Sequence, residues 1–89
     1  MKNILLDASA VTSMGELHSL LKEALSFPVW YGNNLDALFD CLTDLGVETA
    51  LTLQGSEHLA LTLGPRWSAF KATLSDAAAQ NPRFTFFLQ

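Results

Sequence analysis

Asp36, Asp40 and Asp44 follow one another at steps of four within WYGNNLDALFDCLTD, residues 30–44. On an α-helix a step of four turns about 40°, so the three carboxylates form one narrow strip roughly 12 Å long. Like charges at this spacing repel by a few tenths of a kcal/mol per pair, and Asp is a poor residue for a helix interior. The first turn excuses Asp36, where the helix dipole favours an anion, but not Asp40 or Asp44. Most charge runs are solvated faces. Two features favour binding: no Lys or Arg is interspersed in this strip, and Trp30 and Tyr31 stand just before it, where an aromatic loop suits a partner. The chemistry on offer is that of carboxylate acceptors for guanidinium, ammonium or imidazolium groups. A divalent cation fits badly, because ligands on one exposed helix face cannot surround it.

Cys41 and His18 are the other reactive pair to weigh. Cys41 lies about 100° round the helix from Asp40, on the border of the apolar stripe. It reads as a small packing residue, with no neighbouring cation to activate its thiol. His18 sits beside the buried Leu17 face and reads as a structural hydrogen-bonding group, while His58 is expected on an exposed face. No glycine-rich phosphate loop of standard spacing is present, and Trp67 and Phe70 at helical spacing belong to a core. The residues give no catalytic set, no metal ligands and no cofactor site.

The elements that position these groups follow from punctuation and periodicity. NILL opens as a short buried strand. Ser13 and Glu16 have capping-box spacing ahead of a helix with Leu17, Leu20, Leu21, Ala24 and Leu25 on one face. Pro28 stops that helix and PVWYG forms a loop. Asn33 is the expected N-cap of the acidic helix, whose buried stripe is Leu35, Leu38, Phe39, Leu42 and Leu45, ended by Gly46. ETALTLQ is a second strand, and a short helix covers Ser56 to Leu63. Pro65 starts a fourth helix with Trp67, Phe70, Leu74, Ala77 and Ala78 inward. After a break at Asn81 and Pro82, RFTFFLQ is an aromatic strand. The order β-α-α-β-α-α-β predicts an α/β fold with a three-stranded, mainly parallel sheet and about four helices. The apolar runs Ile4 to Leu6 and Phe84 to Leu88 predict strands covered on both faces, as in half of a doubly wound fold.

The 89 residues are expected to form a single domain, 1–89. A chain 49% apolar and 16% charged is not disordered. No apolar run approaches the roughly 20 residues of a membrane span, and MKNILLDAS reaches Asp7 too early for a signal peptide. A lone cysteine fits a reducing cytoplasm, so a cytoplasmic location is expected. The net charge of −4 argues against nucleic acid as partner. Between Lys22 and Arg66 there is no Lys or Arg, whereas Glu23, Asp36, Asp40, Asp44, Glu48 and Glu57 all lie in that window. A strongly negative field there calls for a basic partner.

The segment LHSLLKEALSFPVWYGNNLDALFDCLTD resembles the barstar family, small intracellular inhibitors of barnase-type ribonucleases. The leucine-rich helix with His18, Pro28, the YGNNLDAL core and the DCLT continuation stand in the family's order, and the rest agrees in length and pattern. The resemblance implies an inhibitor that needs no cofactor and is monomeric when free. It would block a basic, extracellular-type ribonuclease and bind neither nucleic acid nor membrane. It implies a binding surface of Trp30, Asn34, Leu35, Asp36, Phe39, Asp40, Thr43 and Asp44, with Asp76 as a peripheral acid on the last helix. Asp40 matches the carboxylate that occupies the nuclease's phosphate site. Trp30 stands where Tyr is more familiar, Phe39 where Trp is, Asp44 where glycine is common, and Gln80 in place of an acid. The alternative from the residues alone is a non-inhibitory adaptor that binds another basic protein through the same helix.

Overall fold

A computed structural model describes residues 1–89. Strand β1 (Lys2–Asp7) leads to helices α1 (Met14–Leu25) and α2 (Leu35–Thr43). Strand β2 (Thr49–Gln54) is followed by α3 (Ser56–Leu63), α4 (Pro65–Gln80) and β3 (Phe84–Leu88). Both strand pairs are parallel and β2 is central, so sequence order and spatial order coincide. Two right-handed crossovers that step in the same direction must lie on the same side of the sheet. All four helices therefore share one face.

The burial pattern agrees. Ile4, Leu51 and Phe86 align in register, as do Leu6, Leu53 and Leu88, and these rows meet the helices. On the opposite side Leu5, Thr52 and Phe87 align, with Leu5 67% and Phe87 57% exposed. This corrects the expectation of strands covered on both faces. The apolar runs belong to a sheet with one covered face, and Leu5 and Phe87 are simply apolar residues on the open one.

One continuous core joins Leu17, Leu21 and Leu25 of α1, Leu38 and Leu42 of α2, and Trp67, Phe70, Leu74 and Ala77 of α4 to the sheet. Ser13 caps α1 by accepting from the Glu16 amide at 3.2 Å. The Glu16 carboxylate turns to the Thr12 amide and hydroxyl rather than back to Ser13, so the expected box is offset by one residue. Helix α1 ends before Pro28 does anything: Ser26 takes a left-handed conformation at φ 57°, and the Phe27 amide returns to the Lys22 carbonyl at 3.0 Å. Where β2 meets α3, Gly55 has φ 92° and lies against Ser9, with no room for a Cβ.

Candidate functional site

Helix α2 is short and is held at both ends. Its N-cap is Asn34, whose side-chain oxygen accepts from the Ala37 amide at 2.8 Å. Asn33, the expected cap, instead takes φ 51°, a region that Asn tolerates better than most residues. It turns the chain so that the next asparagine faces the helix. At the other end Asp44 is the C-cap, and Leu45 lies outside the helix although its side chain still packs on the core. The last turn is fixed from the far end of the chain. The buried Asn81, C-cap of α4, donates to the carbonyls of Leu42 at 2.9 Å and Leu45 at 3.2 Å. Its own oxygen accepts from the Arg83 amide at 3.0 Å. Leu38, Cys41 and Leu42 point inward, Leu35 and Phe39 are half-buried, and Asp36, Asp40 and Asp44 face solvent. No Lys, Arg or His nitrogen comes within 4.0 Å of a carboxylate oxygen anywhere in the chain, so the row has no internal counter-charge.

The loop before α2 is pinned by Tyr31, which is 5% exposed. Its ring packs on Phe27 with centroids 4.9 Å apart, and its hydroxyl meets Nδ1 of the buried His18 at 2.5 Å. Burial holds the His18 pKa below its ordinary value and pushes that of Tyr31 up. The imidazole is therefore neutral near pH 7, and Nδ1 and the phenol share one hydrogen bond whose direction follows the imidazole tautomer. This bears out His18 as a structural group. With Tyr31 turned in, its neighbour Trp30 is turned out, 67% exposed.

Between this loop and the C-terminal half of α2 runs a groove of about 450 Å³. Trp30, Phe27 and Pro28 line one side, and Asp40, Thr43 and Asp44 the other. Of the residues expected at the surface, the groove brings together Trp30, Asp40, Thr43 and Asp44. Asn34, Leu35, Asp36 and Phe39 lie outside it on the same helix and cap, and Asp76 is exposed on α4, away from its lining. The Thr43 hydroxyl donates back to the Phe39 carbonyl at 2.9 Å, so its hydrogen atom is already used. Cys41 lines the base of the groove, but burial first, and then Asp40 and Asp44, push its thiol pKa up. That is the opposite of an activated nucleophile.

Two residues have structural roles that the sequence reading does not give. Asn81 reads as a chain break, and only its distant partners reveal it as the clamp on α2. His58, expected to be exposed, is half-buried, with Nε2 2.6 Å from the Val11 carbonyl, tying α3 to the segment after β1. No group of three or more His, Cys, Asp or Glu side chains is placed to hold a metal ion. No helix is long and apolar enough to cross a membrane.

The class defined so far is a small α/β protein with a one-sided parallel sheet and an unneutralised acidic helix. Comparison with known proteins gives the family. The model of the family described as "Barstar (barnase inhibitor)" matches residues 1–89, and the chain belongs to the barstar family. That is a family of inhibitors and not of enzymes, in keeping with the absence of a catalytic set in the sequence. The chain is also 47% identical over 53 residues to YrdF of Bacillus subtilis (strain 168), whose name describes a candidate ribonuclease inhibitor. The match covers 60% of this chain and 57% of that protein's length.

Proposed function

We propose that this chain is a stoichiometric inhibitor of a basic, barnase-type ribonuclease, which it blocks by laying α2 and the preceding loop over the active site. The observation that carries the proposal is the row of exposed carboxylates with no internal counter-charge, on a helix clamped at both ends beside an exposed tryptophan. A cleft built to receive phosphate presents cationic donors, and a carboxylate offers them acceptor oxygens in similar positions. Asp40, in the middle of the row, takes the phosphate's place, and Asp36 adds a second acid. Trp30, Leu35 and the exposed part of Phe39 supply apolar area that excludes water from the charged contacts. Asn34 and Thr43 act chiefly by shape, since both side chains already serve α2. Asp76 contributes from the rim. The clamps keep the ordering cost of binding low.

The test is titration of barnase activity with the purified protein, with a linear fall to an endpoint at one equivalent expected. Asp40→Ala should weaken inhibition by several-fold more than Asp44→Ala. Truncating one partner of a desolvated charge pair costs about 2–5 kcal/mol, and a rim charge less. The fold of Asp40→Ala should be as stable as the parent or more so, because a repulsive neighbour is removed. Undiminished barnase activity at excess protein would turn the reading to a non-inhibitory adaptor. Full inhibition by Asp40→Ala would sink phosphate mimicry.

A further inference from the structure

Strand β3 is an edge that the fold leaves unguarded. It pairs with β2 on one side and with no strand on the other. Edge strands are normally blunted by charged side chains, proline or a bulge, because their free amides and carbonyls are a template for another strand. Phe84–Leu88 reads FTFFL, with no charge and no proline, and its register with β2 runs on without a bulge. The other edge, β1, is bracketed by Lys2 and Asp7. The helix layer does not cover β3 fully either. Leu51 and Leu53 of the central strand are fully buried, whereas Phe86 and Leu88, their neighbours in register, are only half-buried. On the open face Thr85 and Phe87 are exposed. The strand thus shows apolar side chains on both faces beside a free backbone edge.

The ladder decides which groups line that edge. The Thr49 amide donates to the Arg83 carbonyl, and the Gln89 amide to the Leu53 carbonyl. Odd-numbered residues of β3 therefore turn their backbone groups to β2, and even-numbered ones turn theirs away. The amides of Phe86 and Leu88 and the carbonyls of Phe84, Phe86 and Leu88 face outward. The Phe84 amide is already taken by the Asn81 carbonyl at 3.0 Å. This set is self-complementary about Phe86. In an antiparallel pair the two Phe86 residues exchange amide–carbonyl bonds, and each Leu88 amide meets the opposite Phe84 carbonyl. The same two-fold axis sets Phe86 beside its own copy on the helix face, and Thr85 beside Phe87 on the open face. Two β3 strands laid parallel have no such axis and do not close.

We infer that β3 is a self-association edge, at which two copies of this chain join their sheets antiparallel into one continuous sheet. The contact is weak, because a five-residue strand from each copy falls well short of the roughly 20–30 residues a side of a stable interface. The chain is thus monomeric when dilute and pairs as it approaches millimolar concentration. This is independent of what α2 binds.

The experiment uses the full chain, isotopically labelled, with amide hydrogen exchange followed by NMR from low micromolar to millimolar concentration and sedimentation equilibrium over the same range. Exchange of the Phe86 and Leu88 amides should slow with concentration, halving where half of the chains are paired. Phe87→Lys and Thr85→Lys, each at an exposed position of β3, should raise that midpoint by about tenfold or more, as lysine does on natural edges. Leu5→Lys lies on the same open face but on β1, and should leave the midpoint nearly unchanged. Circular dichroism checks that all three variants fold. A monomer at millimolar concentration, or exchange at Phe86 and Leu88 that ignores concentration, would overturn the inference. Equal weakening by Leu5→Lys would overturn it as well, because the contact would then lie on the open face of the sheet and not on its edge.

Discussion

Replacing Asn81 by alanine tests whether the acidic helix is held from a distance. The side chain makes three hydrogen bonds in a buried position: two donated to the Leu42 and Leu45 carbonyls and one accepted from the Arg83 amide. The Leu42 carbonyl is also approached by the Leu45 amide at 3.4 Å, so alanine does not leave it wholly bare. Side-chain bonds of this kind contribute about 0.5–1.5 kcal/mol each, and an abandoned buried partner costs about 1–3 kcal/mol. With Leu42 partly compensated, the loss should come to about 2 kcal/mol, a large share of the 5–15 kcal/mol typical of a native protein. Asn81→Asp is the sharper probe. It keeps an acceptor for the Arg83 amide but turns a carboxylate on two carbonyls at the end of an already acidic helix. It should therefore be worse than alanine near neutral pH and recover part of the difference in acid, once the new carboxyl protonates. Urea unfolding followed by far-ultraviolet circular dichroism gives both numbers, and at a slope of about 1–3 kcal/mol per molar the alanine midpoint should fall by roughly 1 M. If alanine leaves the midpoint in place, or aspartate proves no worse than alanine, the clamp is not what fixes the last turn of α2.

Three further outcomes are expected. His18 has a folded-state pKa below its unfolded value because it is buried. Its contribution is whole above about pH 6.5 and is lost as pH falls below that value, since the unfolded chain takes the proton first. Urea midpoints should therefore drop from pH 7.5 to pH 5.5, and His18→Gln should flatten that slope. Gly55→Ala should cost about 1–3 kcal/mol by thermal unfolding, because the residue has φ 92° and its new Cβ would stand 2.9 Å from the Ser9 nitrogen. Association with barnase should slow as salt rises while dissociation changes little. The Debye length shrinks from about 30 Å at 0.01 M to about 10 Å at 0.1 M, and stopped-flow rates indifferent to salt would mean that the acidic row does no steering. Electrostatic steering of this kind is established for the barnase–barstar pair, and the expected direction is carried over from there.

The element order was legible because Ser, Asn, Pro and Gly punctuate runs of clear period, and every predicted helix and strand exists. What the sequence concealed depends on the third dimension. Asn33 and Asn34 are chemically identical candidates for a cap, and only the left-handed turn at the first settles that the second faces the helix. Leu45 has the right spacing for the stripe and packs inward, yet the helix has ended before it. Leu5 and Phe87 look like the interior of a doubly covered strand, because apolarity alone does not say which face the crossovers will cover. In the candidate site, the outward row of carboxylates and the exposed Trp30 were readable from periodicity and position. The supports behind them were not, since Asn81 lies 39 residues from Leu42 in the chain and no local pattern announces such a partner.

That separation bears on when the acidic surface can exist during synthesis. Residues 30–44 leave the ribosome early, with their carboxylates and tryptophan complete, but α2 then lacks its C-terminal clamp and the α4 surface on which Leu38 and Leu42 pack. The sheet is no help at that stage, because its parallel pairs join residues as remote as Lys2 with Thr49 and Thr49 with Phe84, and such long closures form slowly. A nascent chain therefore carries the acidic sequence well before it carries the ordered acidic helix. Emergence of Asn81 and β3 is the step that converts one into the other.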